Sequence, residues 1–116
     1  MLKLVLLIFV GLGSSSALAH AFLDHALPAV GSTVHESPHE IRLWFTQRLE
    51  PAFSKARVLD KTGKQVDWGD SHVDSADPTI DATTVSSLAP GIYRVVWRVV
   101  SVDTHVTEGD FTFEVP

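Results

Sequence analysis

Ile92-Tyr93-Arg94-Val95-Val96-Trp97-Arg98-Val99-Val100-Ser101 is the longest stretch that alternates from residue to residue. Tyr93, Val95, Trp97 and Val99 share one side of an extended backbone, and Arg94, Val96, Arg98 and Val100 share the other. That period of two is a strand with one face toward a core. Ala89-Pro90-Gly91 is the tight turn that launches it. Trp97, on the inward side, reads as core. Beyond it, Glu108-Gly109 reads as another turn, followed by a last strand from Asp110 to Val115 with Phe111, Phe113 and Val115 inward.

Upstream the same pattern recurs in shorter pieces. Ile41, Leu43 and Phe45 alternate with Arg42, Trp44 and Thr46, a half-buried strand. Phe53 to Asp60 reads as a strand closed by the Lys61-Thr62-Gly63-Lys64 turn, with Gln65 to Trp68 as a short hairpin partner. Gly69 to Pro78 is polar and acidic and reads as a surface loop. Thr79 to Val85 reads as a threonine-rich strand at a sheet edge. Near the start, His20 to Leu23 reads as a short strand, Asp24-His25 as the beginning of a loop, and Pro28 to Ser32 as a turn. No helical periodicity spans eleven residues. Short strands separated by turn signals predict an all-β fold, an antiparallel Greek-key sandwich or barrel.

The first nineteen residues are of another kind. Met1-Leu2-Lys3 is a short basic start, Leu4 to Leu12 an apolar run too short to span a membrane, and Ala17-Leu18-Ala19 a small-residue cleavage site. This predicts a cleaved secretory signal over 1–19 and one domain over 20–116. An uncleaved anchor is the competing reading. No later segment is apolar enough to cross a membrane as a helix, so the expectation is an exported, freely soluble, periplasmic protein. The chain of 116 residues less this leader leaves 97, room for one core. Only Lys3 of nine basic residues falls in the leader, so eight face fourteen acidic side chains, a formal charge of −6. That argues against a nucleic-acid binder and gives no reason to expect binding to anionic lipid. There are no cysteines, which excludes disulfides, thiolate sites and cysteine nucleophiles. The sole methionine is Met1, so the mature chain has no thioether with which to favour Cu(I).

Cleavage after Ala19 would leave His20 as the N-terminal residue, offering a metal its α-amine and its imidazole together. Cu(II) prefers such nitrogen and oxygen donors in a tetragonal arrangement. A second imidazole and a carboxylate are available in Asp103-Thr104-His105. Two apart in extended backbone, Asp103 and His105 would point to one face and could reach one ion. The same triplet also suits a solvated loop with an Asx-turn, and His20 also suits an accident of the cleavage site. The residues alone leave both readings open.

Three stretches bear on the choice. Leu27-Pro28-Ala29-Val30-Gly31-Ser32 follows an S/T-P-A-x-G-S turn. Pro38-His39-Glu40-Ile41-Arg42-Leu43-Trp44-Phe45 follows a P-x-x-I-x-L-x-F strand. Gly91 to His105 follows G-x-Y-x-V-x-W-R-x-V-S-x-D-x-H, with Gly109 and Phe111-Thr112-Phe113 behind it. In these motifs, in order along the whole mature chain, the sequence resembles the CopC family of periplasmic copper-binding proteins involved in copper resistance. The resemblance implies a cupredoxin-like or immunoglobulin-like β-barrel. It also implies a Cu(II) site mapping onto His20, Asp103 and His105, and an inner-membrane copper transporter of the CopD kind as partner. Members with a Cu(I) site carry a methionine-rich loop that is missing here, which implies a Cu(II)-only protein. Some members place a glutamate, as a further ligand, where this chain has Gln47, so Gln47 is left out of the site.

His25 is near the terminus but more readily caps a loop, and His35, His39 and His72 read as surface residues. No enzyme signature is present, and no G-x-S-x-G elbow accompanies the serines. The expectation is a monomeric copper carrier rather than an enzyme. The competing classes are a secreted histidine-brace copper monooxygenase acting on polysaccharides and a plain exported sandwich used for interaction.

Overall fold

The computed structural model describes residues 20–116, so the signal read over 1–19 lies outside the described residues. Seven strands follow one another: β1 Leu23–Leu27, β2 Glu40–Phe45, β3 Lys55–Leu59, β4 His72–Val73, β5 Ile80–Thr84, β6 Gly91–Val100 and β7 Val106–Val115. A single 3₁₀ turn, Pro51–Phe53, precedes β3. Every strand pair is antiparallel, and the strands divide into a sheet ordered β1-β2-β5-β4 and a sheet ordered β3-β6-β7. The chain therefore changes sheet after β2, β3 and β5. This strand order is that of a constant-type immunoglobulin sandwich, so of the two barrel types expected the immunoglobulin-like one describes the molecule.

Alternation explains which side chains meet between the sheets. Ile41, Leu43 and Phe45 of β2 are buried, as are Tyr93, Val95 and Val99 of β6 and Phe111, Phe113 and Val115 of β7. Trp97 is half-buried and packs its ring on Phe45 and Phe111. At the far end Tyr93 donates its hydroxyl proton to the Ala89 carbonyl at 2.6 Å, the corner that pins the start of β6 in such sandwiches.

Four expectations need correction. The first strand begins at Leu23 and includes Asp24 and His25, because β1 pairs with β2 from Leu23↔Phe45 to Leu27↔Arg42, with a bulge between Leu23 and His25. The strand over Thr79–Val85 is not at an edge. As β5 it lies between β2 and β4, and its first four residues are buried. The acidic 69–78 stretch contributes the two-residue edge strand β4, which puts His72 opposite Ala82. Glu108-Gly109 is no turn but the interior of β7, with Gly109 opposite Trp97.

Both edges of the three-stranded sheet are covered, which removes templates for unwanted pairing. On the β3 side, Ser71 Oγ and Asp67 Oδ2 accept from the amides of Ala56 and Val58 at 2.9 and 2.7 Å. On the β7 side, the stretch after the Gly31 turn runs parallel to β7. Gly31 N donates to Thr112 O, and Val34 N to Glu114 O.

Candidate metal centre

One mouth of the sandwich is closed by the β6–β7 hairpin. Ser101 N donates to His105 O at 2.9 Å, and Thr104 N donates back to Ser101 O at 2.8 Å, leaving Val102, Asp103 and Thr104 as the loop. Thr104 takes φ +74°, the left-handed position that ends three-residue hairpin loops of this kind and that glycine usually fills. The extended backbone expected for Asp103-Thr104-His105 is therefore a tight turn. Asp103 and His105 come together because the chain reverses between them. The turn is tied to the segment after β2, since Val102 N donates to Arg48 O and Glu50 N to Val100 O.

Ser101 organises this turn from beneath. It is 1% exposed, and its hydroxyl donates to Asp103 Oδ1 in a short hydrogen bond while lying 3.3 Å from both the amide and the carbonyl of His105. That bond, more than the neighbouring His105, holds the Asp103 carboxyl below the usual carboxylate range. His105 Nδ1 lies 3.2 Å from Asp103 Oδ1. With Nδ1–H directed at the carboxylate, Nε2 is the nitrogen left to face a ligand. Reading the sequence missed Ser101 as a functional residue. The signal was available: Ser101 continues the inward series Tyr93, Val95, Trp97, Val99, where a polar side chain is out of pattern.

His20 arrives from the other end of the chain. Its ring lies with its centroid 4.6 Å from that of His105, tilted by 47°, and 5.8 Å from Phe22. The structure thus gathers His20, Asp103 and His105 at one mouth. Among the described residues no three His, Cys, Asp or Glu side chains are already gathered tightly enough to hold an ion unaided. His105 neighbours both of the others, its ring beside that of His20 and its Nδ1 beside Asp103. The other histidines are engaged or exposed elsewhere. His25 stacks on Trp44 at 4.3 Å and its Nδ1 is 2.6 Å from Asp24. His72 Nδ1 is 2.9 Å from Asp70 O, while His35 and His39 are exposed. Gln47 is half-buried just past β2.

Comparison with known proteins bears on the whole domain. Residues 23–116 match the CopC domain family. Copper resistance protein C of Pseudomonas syringae pv. tomato is 36% identical over 108 residues, spanning 88% of this chain and 85% of that protein. The crystal structure of CopC from Methylosinus trichosporium OB3b superposes with a TM-score of 0.74 at 36% identity, covering 83% of this chain and 93% of that one. PcoC of Escherichia coli, described as a methionine-rich copper resistance protein, gives a TM-score of 0.72 at 33% identity over 84% of this chain and all of its own. With a family match over nearly all of the described residues, and relatives above 30% identity over most of both chains, the protein belongs to the CopC family.

Proposed function

We propose that the mature protein captures Cu(II) in the periplasm and holds it for buffering or hand-off, without catalysing a reaction. The observation that carries this reading is the convergence of two imidazoles, 4.6 Å apart at their centroids, beside a carboxylate held ionised by Ser101. His20 would supply its imidazole and the amine freed by signal cleavage. His105 would supply the second imidazole, and Asp103 an oxygen and a negative charge favouring a divalent ion. This donor set fits Cu(II), and no thioether or thiolate is present to favour Cu(I). The contrast with methionine-rich PcoC supports a Cu(II)-only type. Reduction is then a route of release, and an inner-membrane transporter of the CopD kind is the proposed recipient of copper from a monomeric carrier.

The test is a Cu(II) titration followed by electron paramagnetic resonance. Protein beginning at His20 is compared with the same chain extended by one N-terminal glycine. A tight, one-to-one, nitrogen-rich tetragonal signal from the His20 terminus alone is the expected result. Equal binding by both proteins would place the metal elsewhere and overturn the reading.

A further inference from the structure

The segment that delivers His20 belongs to neither sheet, yet it is fixed at three successive residues. Ala21 is fully buried in the core. Its carbonyl accepts a 2.6 Å hydrogen bond from Thr107 Oγ1 on β7. The next amide, Phe22 N, donates to Thr46 Oγ1 at 3.0 Å, and Thr46 N returns a 2.9 Å bond to Phe22 O just beyond β2. The Thr46 hydroxyl, with one proton to give, lies 3.4 Å from the His20 carbonyl. The arm is thus gripped by the Thr107 hydroxyl on β7 and by the Thr46 hydroxyl just past β2, at the mouth where the β6–β7 turn holds His105.

We infer that Thr46 and Thr107 are positioning residues that fix the N-terminal arm in place before any metal arrives, so that His20 is presented to His105 at no further ordering cost. This rests on the copper reading above and adds to it the machinery that makes the terminus a preformed half-site. The physical reason is entropic. A free terminus loses backbone freedom when it is ordered, and that loss opposes binding. If folding has already ordered residues 20–22, metal binding does not bear that cost. Core burial of Ala21 alone sets depth but not rotation. Two hydrogen bonds from opposite sides set the direction in which residue 20 leaves the core. The hydroxyl bonds of both threonines go to backbone atoms of the arm, so each acts through the backbone.

The experiment uses mature protein beginning at His20, with Thr107→Val, Thr107→Ser, Thr46→Val and Thr46→Ser. Two quantities are read besides the melting temperature: amide order parameters of residues 21–23 in metal-free protein, and Cu(II) affinity with its resonance spectrum. Each valine variant is expected to lower the arm's order parameters, weaken Cu(II) binding about tenfold and broaden the spectrum. The serine variants, which keep the hydroxyl, are expected to restore all three. Unchanged arm order in both valine variants overturns the proposal, as does a loss that serine fails to restore. The order parameters are measured without copper, so they judge the clamp even if the glycine-extended protein binds as well as the authentic one. In that case the copper reading fails while the clamp stands or falls on its own readout.

Discussion

Asp81 is a charge-bearing residue in the wrong solvent. In the ladder it lies opposite Leu43 and Val73, so its carboxyl is carried on the core-facing side of β5. It is fully buried; Ser71 Oγ donates to Oδ1 at 2.8 Å, and Oδ2 has no hydrogen-bond partner among the described residues. Burial pushes its pKa up to about 7, with the Ser71 hydrogen bond opposing. In the unfolded chain the group titrates near about 3.9. Between those values the folded protein holds a proton that the unfolded chain has released. The resulting stability is present at low pH and is lost as pH rises toward about 7, by roughly 4 kcal/mol at most. Metal-free protein is therefore expected to melt several degrees higher at pH 5 than at pH 8. Asp81→Asn should flatten that dependence and raise the melting temperature at pH 8. Thermal scans at both pH values decide it, and an unaltered pH slope in the variant would refute the assignment. Below about pH 4 the trend reverses. Asp60, Asp70 and Asp77, held low chiefly by hydroxyls of Thr62, Thr84 and Thr79, then take up protons and lose their bonds.

At the scale of the element, the β6–β7 hairpin exchanges two residues' ordinary places. Threonine occupies the left-handed turn position at 104, and glycine occupies a strand interior at 109. The reason for the glycine is the tryptophan opposite: a Cβ on Gly109 would sit 2.3 Å from Trp97 Cζ2. The indole's six-membered ring covers Gly109, and the side chain packs on Phe45 and Phe111. Gly109→Ala must therefore displace a bulky ring, at an expected cost of about 1–3 kcal/mol. A red-shifted emission from Trp97, measured with Trp44 and Trp68 replaced, should accompany the lower melting temperature. Unchanged emission and stability would mean that the ring does not rest on residue 109. The left-handed Thr104 is strain at a candidate functional turn. It is held there by the bonds that Ser101 makes to both sides of the loop.

Across the whole molecule, protons act on the fold and on the metal in opposite directions. In the proposed site, metal and proton would compete for the same nitrogen donors, so Cu(II) affinity is expected to fall steadily from pH 8 to pH 5. The apoprotein, through Asp81, gains stability over the same range. Loss of copper at pH 5 should thus occur from a fully folded protein. Affinity measured by competition, with folding followed in parallel by circular dichroism, checks this. A flat affinity from pH 8 to 5 would exclude a nitrogen-rich site. The proposed donors come together where the start of the described chain meets the β6–β7 hairpin: the arm at residues 20–22 is bonded by Thr107, next to the turn that carries His105.

The alternation of Ile41 to Phe45 and of Tyr93 to Val99 is a local property, and it determined by itself that the core is made of strands. Residue chemistry likewise narrowed the donors, since a chain without cysteine and with only Met1 has histidine and carboxylates to offer. What proximity in sequence could not show is pairing between distant segments. That β5 lies inside a sheet, and that Gly109 must be bare, follow from neighbours that are remote in the chain. The meeting of His20 with His105 is of the same kind. It follows from the strand order β3-β6-β7, the turn at Thr104 and the bonds that tie the arm to Thr46 and Thr107, because only tertiary packing brings residues so far apart to one mouth.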